Sequence, residues 1–199
     1  MKTAGKRAHA LGHPIVIDPV GVSGSSYRRE KCLELMKIIH PTCIRGNYSE
    51  IQALLHNCGT VTGVDAAEDA LAEAEETDLP ELMKQYAKEN QMILVASGET
   101  DLITDGSCVY RCHNGSPMMA RITGSGCMST VMLGAFLSAE NSVESAVACC
   151  AFTGIAGELA AKEMTAQKRG TMTFRNWFID AVSLMTPEQL EHGTDVDWF

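Results

Sequence analysis

The sequence predicts an α/β domain with a mainly parallel sheet, because short β-rich runs alternate with longer stretches of helical spacing. Three observations carry this prediction. Ile15-Val16-Ile17 is a fully apolar run of strand length that stops at Asp18-Pro19. After a Gly/Ser loop, Cys32, Leu35, Met36 and Ile39 recur at helical spacing. Met92 to Ala96 then repeats the strand signature and ends at Ser97-Gly98. The 199 residues are 45% hydrophobic and 21% charged, which excludes disordered and collagen-like classes and is enough for one domain with a buried core.

The remaining elements follow in order. Thr42 to Ile44 reads as a second short strand ending at Arg45-Gly46-Asn47, and Ile51, Leu54 and Leu55 mark the helix after it. An Ala- and Glu-rich stretch reads as one or two helices broken near Pro80. Leu102–Thr104 and Cys108–Arg111, separated by Asp105-Gly106-Ser107, form a hairpin. Gly124-Ser125-Gly126 opens a helix through Leu137. A small-residue-rich helix covers Val143 to Met164, and another runs near Phe174 to Met185. The residues before His13 also have helical character without a capping signal, so the chain reads as beginning inside a helix, with an N-terminal part missing.

Charge and cysteine usage narrow the function classes. The net charge of −9 is concentrated between Asp65 and Glu81, where eight acidic residues occur without Lys or Arg. An acidic chain lacking a basic stripe is a poor nucleic-acid binder, and the acidic stretch reads as a solvated helix face. No apolar run approaches the roughly 18 residues of a membrane span, and the first residues lack a signal-peptide core, so a cytoplasmic protein is expected. The eight cysteines contain no C-x-x-C pair, which favours free thiols in a reducing compartment. Cys108, Cys112 and His113 lack the second half of a zinc site.

Polar and glycine-rich motifs fall where predicted strands end, which is where ligands bind in open α/β sheets. Asp18, Arg45 and Ser97 each follow such a run. Asn47-Tyr48-Ser49-Glu50 has the spacing of a helix capping box; alternatively, Glu50 faces the ligand crevice and helps hold Mg²⁺ through water. Gly124-Ser125-Gly126-Cys127 puts two glycines at a helix start, where free N–H groups can receive a phosphoryl group's negative charge. Its plainer reading is a glycine loop with a buried thiol. No Walker loop, G-x-G-x-x-G dinucleotide fingerprint or G-x-S-x-G elbow is present.

Taken together, Asp18-Pro19-Val20-Gly21-Val22, Ile44-Arg45-Gly46-Asn47 with Ser49-Glu50-Ile51, and Thr123-Gly124-Ser125-Gly126-Cys127 closely resemble the hydroxyethylthiazole kinases. These are thiamine-salvage enzymes of the ribokinase-like superfamily. Ser97-Gly98-Glu99-Thr100-Asp101, Thr104-Asp105-Gly106, Asn114-Gly115 and Phe174-Arg175 to Asp180-Ala181 extend the resemblance over nearly the whole chain. It implies a three-layer α/β/α kinase domain over residues 1–199, lacking N-terminal strands. It also implies Mg²⁺-dependent transfer of the ATP γ-phosphoryl group to the alcohol of 4-methyl-5-(2-hydroxyethyl)thiazole. By the same resemblance, Arg45 and Ser97 contact ATP, Gly124 contacts substrate, and Ser125, Gly126 and Cys127 form the anion hole. Asp18 and Glu50 lie near metal and phosphates, and Cys127 replaces the Asp of most ribokinase-like enzymes.

Family members are longer at the front, where they carry early strands and much of the thiazole surface, and they form trimers with active sites between subunits. A homotrimer is therefore expected if that part is dispensable. The shortened front keeps open two alternatives: an inactive nucleotide-binding fragment, and a kinase of a related vitamin-precursor alcohol.

Overall fold

The computed structural model describes residues 1–58 and 79–199. The expected acidic helices lie outside the described residues, apart from the segment's end at Leu79. The described chain gathers into two compact units: Met1–Ala96 with Thr104–Val109, and Ser97–Ile103 with Tyr110–Phe199.

In the first unit, α1 (Lys2–Ala10) packs on α2 (Ser26–Ile39). The two helices approach so closely at Gly5 that a Cβ there would lie 2.5 Å from Ile39 Cγ2. No side chain caps α1, as its sequence predicts, whereas Ser25 caps α2 by accepting from the Arg28 amide at 3.3 Å. Strand β1 (Val16–Ile17) pairs in parallel with β2 (Cys43–Asn47), Ile17 opposite Ile44. β3 (Ile93–Ser97) follows β2, its Ile93 amide donating to the Thr42 carbonyl at 2.9 Å. Helices α3 (Tyr48–Cys58) and α4 (Leu79–Asn90) join this unit. Pro80 sits in the first turn of α4, where its missing N–H has no helical partner to lose. Ile44, Ile51, Leu54, Met83, Leu94 and Val95 are almost wholly buried and form its core.

The second unit holds β4 (Asp101–Thr104) and β5 (Val109–Cys112), except for Thr104 and Val109, which count with the first unit, and β6 (Val196–Trp198). β6 runs antiparallel to β5, with Arg111 opposite Asp197. The Asp105-Gly106-Ser107 turn expected of the hairpin is present, with Gly106 at φ +97°. A 3-10 turn (Pro117–Arg121) leads to α5 (Ser125–Ala139), α6 (Val143–Ala166), α7 (Thr171–Leu184) and α8 (Pro187–Gly193). Helix α6 is the centre of this unit, packing on α5, α7 and α8. Phe174 and Phe178 of α7 are fully buried beside Ala156 and Ala160 of α6.

Strands pair in parallel at β1–β2 and antiparallel at β5–β6. Three expectations change. β2 continues through Arg45, Gly46 and Asn47 instead of ending before them, because Gly46 is buried and fits the strand without a side chain. Helix α6, 24 residues long, is long and apolar enough by composition to cross a bilayer, contrary to the sequence reading. However, 61% of its apolar window is buried inside the protein, and the same composition serves a core helix flanked by three others. Finally, α8 and β6 were not anticipated. α8 is opened by a reciprocal Thr186–Gln189 capping box with Pro187 at its first position.

Candidate active site

Asp18, Arg45 and Glu50 belong to the first unit, Ser97 and Gly124 to Cys127 to the second. In the parallel register that pairs Ile17 with Ile44, Asp18 is the first residue past β1 and Arg45 the next residue on β2. Pro19 has no amide to continue the ladder, so the chain turns there, with Val22 donating to the Pro19 carbonyl at 3.2 Å. Gly21, at φ +75°, takes the left-handed position of that turn.

Glu50 ties this turn to the end of β2. Its Oε1 accepts from the Gly21 amide at 2.8 Å and its Oε2 from the Asn47 amide at 3.0 Å. In return Asn47 Oδ1 accepts from the Glu50 amide at 2.9 Å. The capping-box reading of this motif is therefore correct in geometry. A Cβ on Gly46 would stand 3.1 Å from Pro19 Cγ and 3.3 Å from Glu50 Oε2, so the absence of a side chain there lets the two loops close.

The donor set also fits magnesium, which takes one or two carboxylates and keeps several waters. Asp18 and Glu50 supply two carboxylates. Each Glu50 oxygen already spends one lone pair on an amide, which suits a water-bridged contact better than direct chelation. Among the described residues no three His, Cys, Asp or Glu side chains gather as a metal cluster, so Cys108, Cys112 and His113 form none.

In the second unit, Ser97 ends β3 and opens the loop to β4, where the Gly98 amide donates to Asp101 Oδ1 at 3.0 Å. The start of α5 is opened by a glycine in the left-handed region. Gly124 is its N-cap at φ +93°, with no side-chain cap and nothing within 4 Å of where a Cβ would stand. The first-turn amides of an α-helix have no partner inside it and carry the positive end of its dipole. The Ser125 hydroxyl does not face that opening; it donates to the Met119 carbonyl at 2.8 Å and pins the 3-10 turn to the helix. Any contribution of Ser125 to an anion site therefore comes from its backbone.

Cys127 is exposed, not the buried thiol of the plainer sequence reading. It borders a cavity of about 370 Å³ whose other walls are Met128, Val131 and Met132 of α5 and Phe178, Ile179 and Val182 of α7. The volume is in the range of small-molecule clefts, but the groove is open, with Val131 and Ile179 exposed, and among the described residues Cys127 is the one polar side chain on its walls. The positions recur at helical spacing in both helices.

The thiols differ in a testable way. Burial is the main cause that pushes Cys112 up to about 12, with the carboxylates of Asp101, Asp195 and Glu158 adding to it. A thiol alkylating reagent at pH 8 should therefore modify Cys127 rapidly and leave Cys112 untouched until the protein unfolds, as peptide mapping would read. Rapid native labelling of Cys112 would contradict its burial. The raised value favours the folded state fully below the thiol's ordinary pKa of 9.0, and that stabilisation is lost as pH climbs from there through about 12.

Comparison with known proteins gives the family. The model of the "Hydroxyethylthiazole kinase family" matches residues 1–188. A hydroxyethylthiazole kinase of Clostridium acetobutylicum is 36% identical over 194 residues, covering 96% of this chain and 71% of the relative. One from Desulforudis audaxviator is 37% identical over 198 residues, covering 99% and 69%. The solved hydroxyethylthiazole kinase structure from Pyrococcus horikoshii superposes with a TM-score of 0.82 at 26% identity, over 99% of this chain and 70% of that one. The fold and these matches define an α/β small-molecule kinase. The chain belongs to the hydroxyethylthiazole kinase family.

Proposed function

We propose that this chain transfers the γ-phosphoryl group of ATP to the primary alcohol of 4-methyl-5-(2-hydroxyethyl)thiazole, with Mg²⁺. The observation that carries the reading is the uncapped start of α5 behind left-handed Gly124, in a chain matched by this kinase family over residues 1–188. Phosphoryl transfer asks mainly for positioning and charge stabilisation, and backbone amides at a helix start supply both.

In this reading Arg45 and Ser97 bind ATP, and Gly124 leaves room for the substrate's close approach. The amides from Ser125 to Cys127 hold the transferring phosphoryl group. Cys127 orients the alcohol or accepts its proton as the new P–O bond forms. Asp18 and, through water, Glu50 would hold the magnesium, which when bound neutralises phosphate charge. The domain extends over 1–199 as one kinase domain. By the family resemblance the chain works as a homotrimer provided the N-terminal part is dispensable, and a cytoplasmic location suits the free thiols of the seven described cysteines.

Incubation of the purified chain with Mg-ATP and the thiazole alcohol should give the phosphorylated thiazole by mass spectrometry, and chelation of magnesium should abolish it. A folded sample that makes no product would overturn the reading. Cys127→Ala should lower the rate while Cys127→Asp retains or raises it; equal rates for all three proteins would remove Cys127 from the chemistry.

A further inference from the structure

Between β3 and β4 the Ser97-Gly98-Glu99-Thr100-Asp101 loop carries Ser97, which the proposed function assigns to ATP. The side chains of Asp101 and Thr100 help hold this loop. Asp101 closes it internally on the Gly98 amide at 3.0 Å, and Thr100 Oγ1 lies 3.3 Å from Nδ1 of His113, just after β5. The other ring nitrogen of His113, Nε2, lies 3.2 Å from Asp197 Oδ2 in β6. Asp197 is fixed in turn: its Oδ1 accepts from Arg111 Nε at 2.6 Å, and the His113 amide donates to the Asp195 carbonyl at 2.9 Å. Arg111 also lies over the Phe199 ring, 5.0 Å from its centre.

The two contacts place a carboxylate on one ring nitrogen and a hydroxyl on the other. With Nε2–H donating to the Asp197 carboxylate, Nδ1 keeps its lone pair and accepts from the Thr100 hydroxyl. The same carboxylate is held below its ordinary range first by the Arg111 hydrogen bond and then by that of His113, so it is present as an acceptor at neutral pH. The His113 and Asp197 side chains are 36% and 49% exposed. A contact this exposed adds little to stability. Three side chains aligned from the last strand into a loop instead restrict where that loop lies.

We propose that His113, oriented by Asp197 of β6, is a positioning residue for the ATP-contacting loop, so that the last five residues of the chain set nucleotide affinity. The inference rests on the proposed ATP role of Ser97. It assigns His113 no contact with reacting atoms.

The test uses the full chain and its variants His113→Ala, Asp197→Asn and Thr100→Val. Calorimetric ATP affinity, KM for the thiazole alcohol, kcat and Tm are read for each. Each variant should weaken ATP binding about fivefold, the worth of one ordinary hydrogen bond, with KM for the alcohol, kcat and Tm nearly unchanged. His113→Ala combined with Thr100→Val should lose no more than either alone, because both remove one interaction. Unchanged ATP affinity in an active protein overturns the inference and leaves the kinase reading standing. Equal losses in ATP affinity, alcohol KM and Tm would mark a structural role and overturn it as well. If the parent chain binds no ATP, the functional reading fails and the inference with it.

Discussion

Gly154→Ala is expected to destabilise the protein by about 2 kcal/mol, although alanine is the better helix former by nearly 1 kcal/mol. Gly154 lies inside α6, where a Cβ would stand 2.5 Å from both the Cβ and the carbonyl oxygen of Asn114 and 2.6 Å from its carbonyl carbon. Two of these three atoms are backbone, so no rotamer change relieves the overlap. The Asn114 side chain is equally constrained. Its Nδ2 donates to the Gly193 carbonyl at 2.8 Å and to Glu158 Oε1 at 3.1 Å, while its Oδ1 accepts from the Asp195 amide at 2.8 Å. Pushing Asn114 away therefore loosens α6, the end of α8 and the approach to β6 together. For a chain of this size the midpoint of thermal unfolding should fall by about 4–8 °C. A Tm equal to or above that of the parent would show that α6 can shift without loss.

The second large effect is on activity. Gly124→Ala should reduce kcat by about 100-fold, the scale of losing preorganised amide donors at a developing charge. The cause differs from that at Gly154. Nothing lies within 4 Å of the added Cβ, but φ is +93°, a conformation L-residues adopt at a penalty of roughly 1–2 kcal/mol. An alanine relieves that strain by rotating the backbone, which turns the Ser125 to Cys127 amides from their common direction. Folding should survive, since the site is open, and Tm should fall by only a few degrees. Steady-state kinetics with the thiazole alcohol reads the result. A kcat within a few-fold of the parent would mean that the α5 start does not hold the transferring group.

Both predictions fall on glycines, and the sequence treats them differently. Gly124 stands in a Gly-Ser-Gly-Cys string before an apolar helix, and its special backbone was legible because a turn signal and a helix signal meet there. Gly154 sits among Ala, Cys and Thr in a uniform small-residue helix; nothing local marks it, because its constraint comes from Asn114, forty residues earlier. Glu50 is an intermediate case. Asn47 and Glu50 at capping-box spacing announced one bond pair, but the Gly21 amide on Glu50 Oε1 joins residues 29 apart. The Thr186–Gln189 box with Pro187 was equally readable and went unread, and α8 with it.

Local chemistry determined the order of helices and strands, the stops at Asp18-Pro19 and Ser97-Gly98, and the glycine-opened helix that carries the proposed phosphoryl site. Each depends on residues within one or two turns of one another, so spacing alone reports them. Folding decided what those residues face. It turned the Ser125 hydroxyl inward to Met119, left Cys127 exposed beside an apolar cavity from two helices, and made α6 a buried axis where composition alone would also suit a membrane. It also brought Asp197 to His113 across 84 residues of chain. Backbone propensity acts over a few residues, whereas burial and hydrogen-bond partnership depend on which distant segments share one volume.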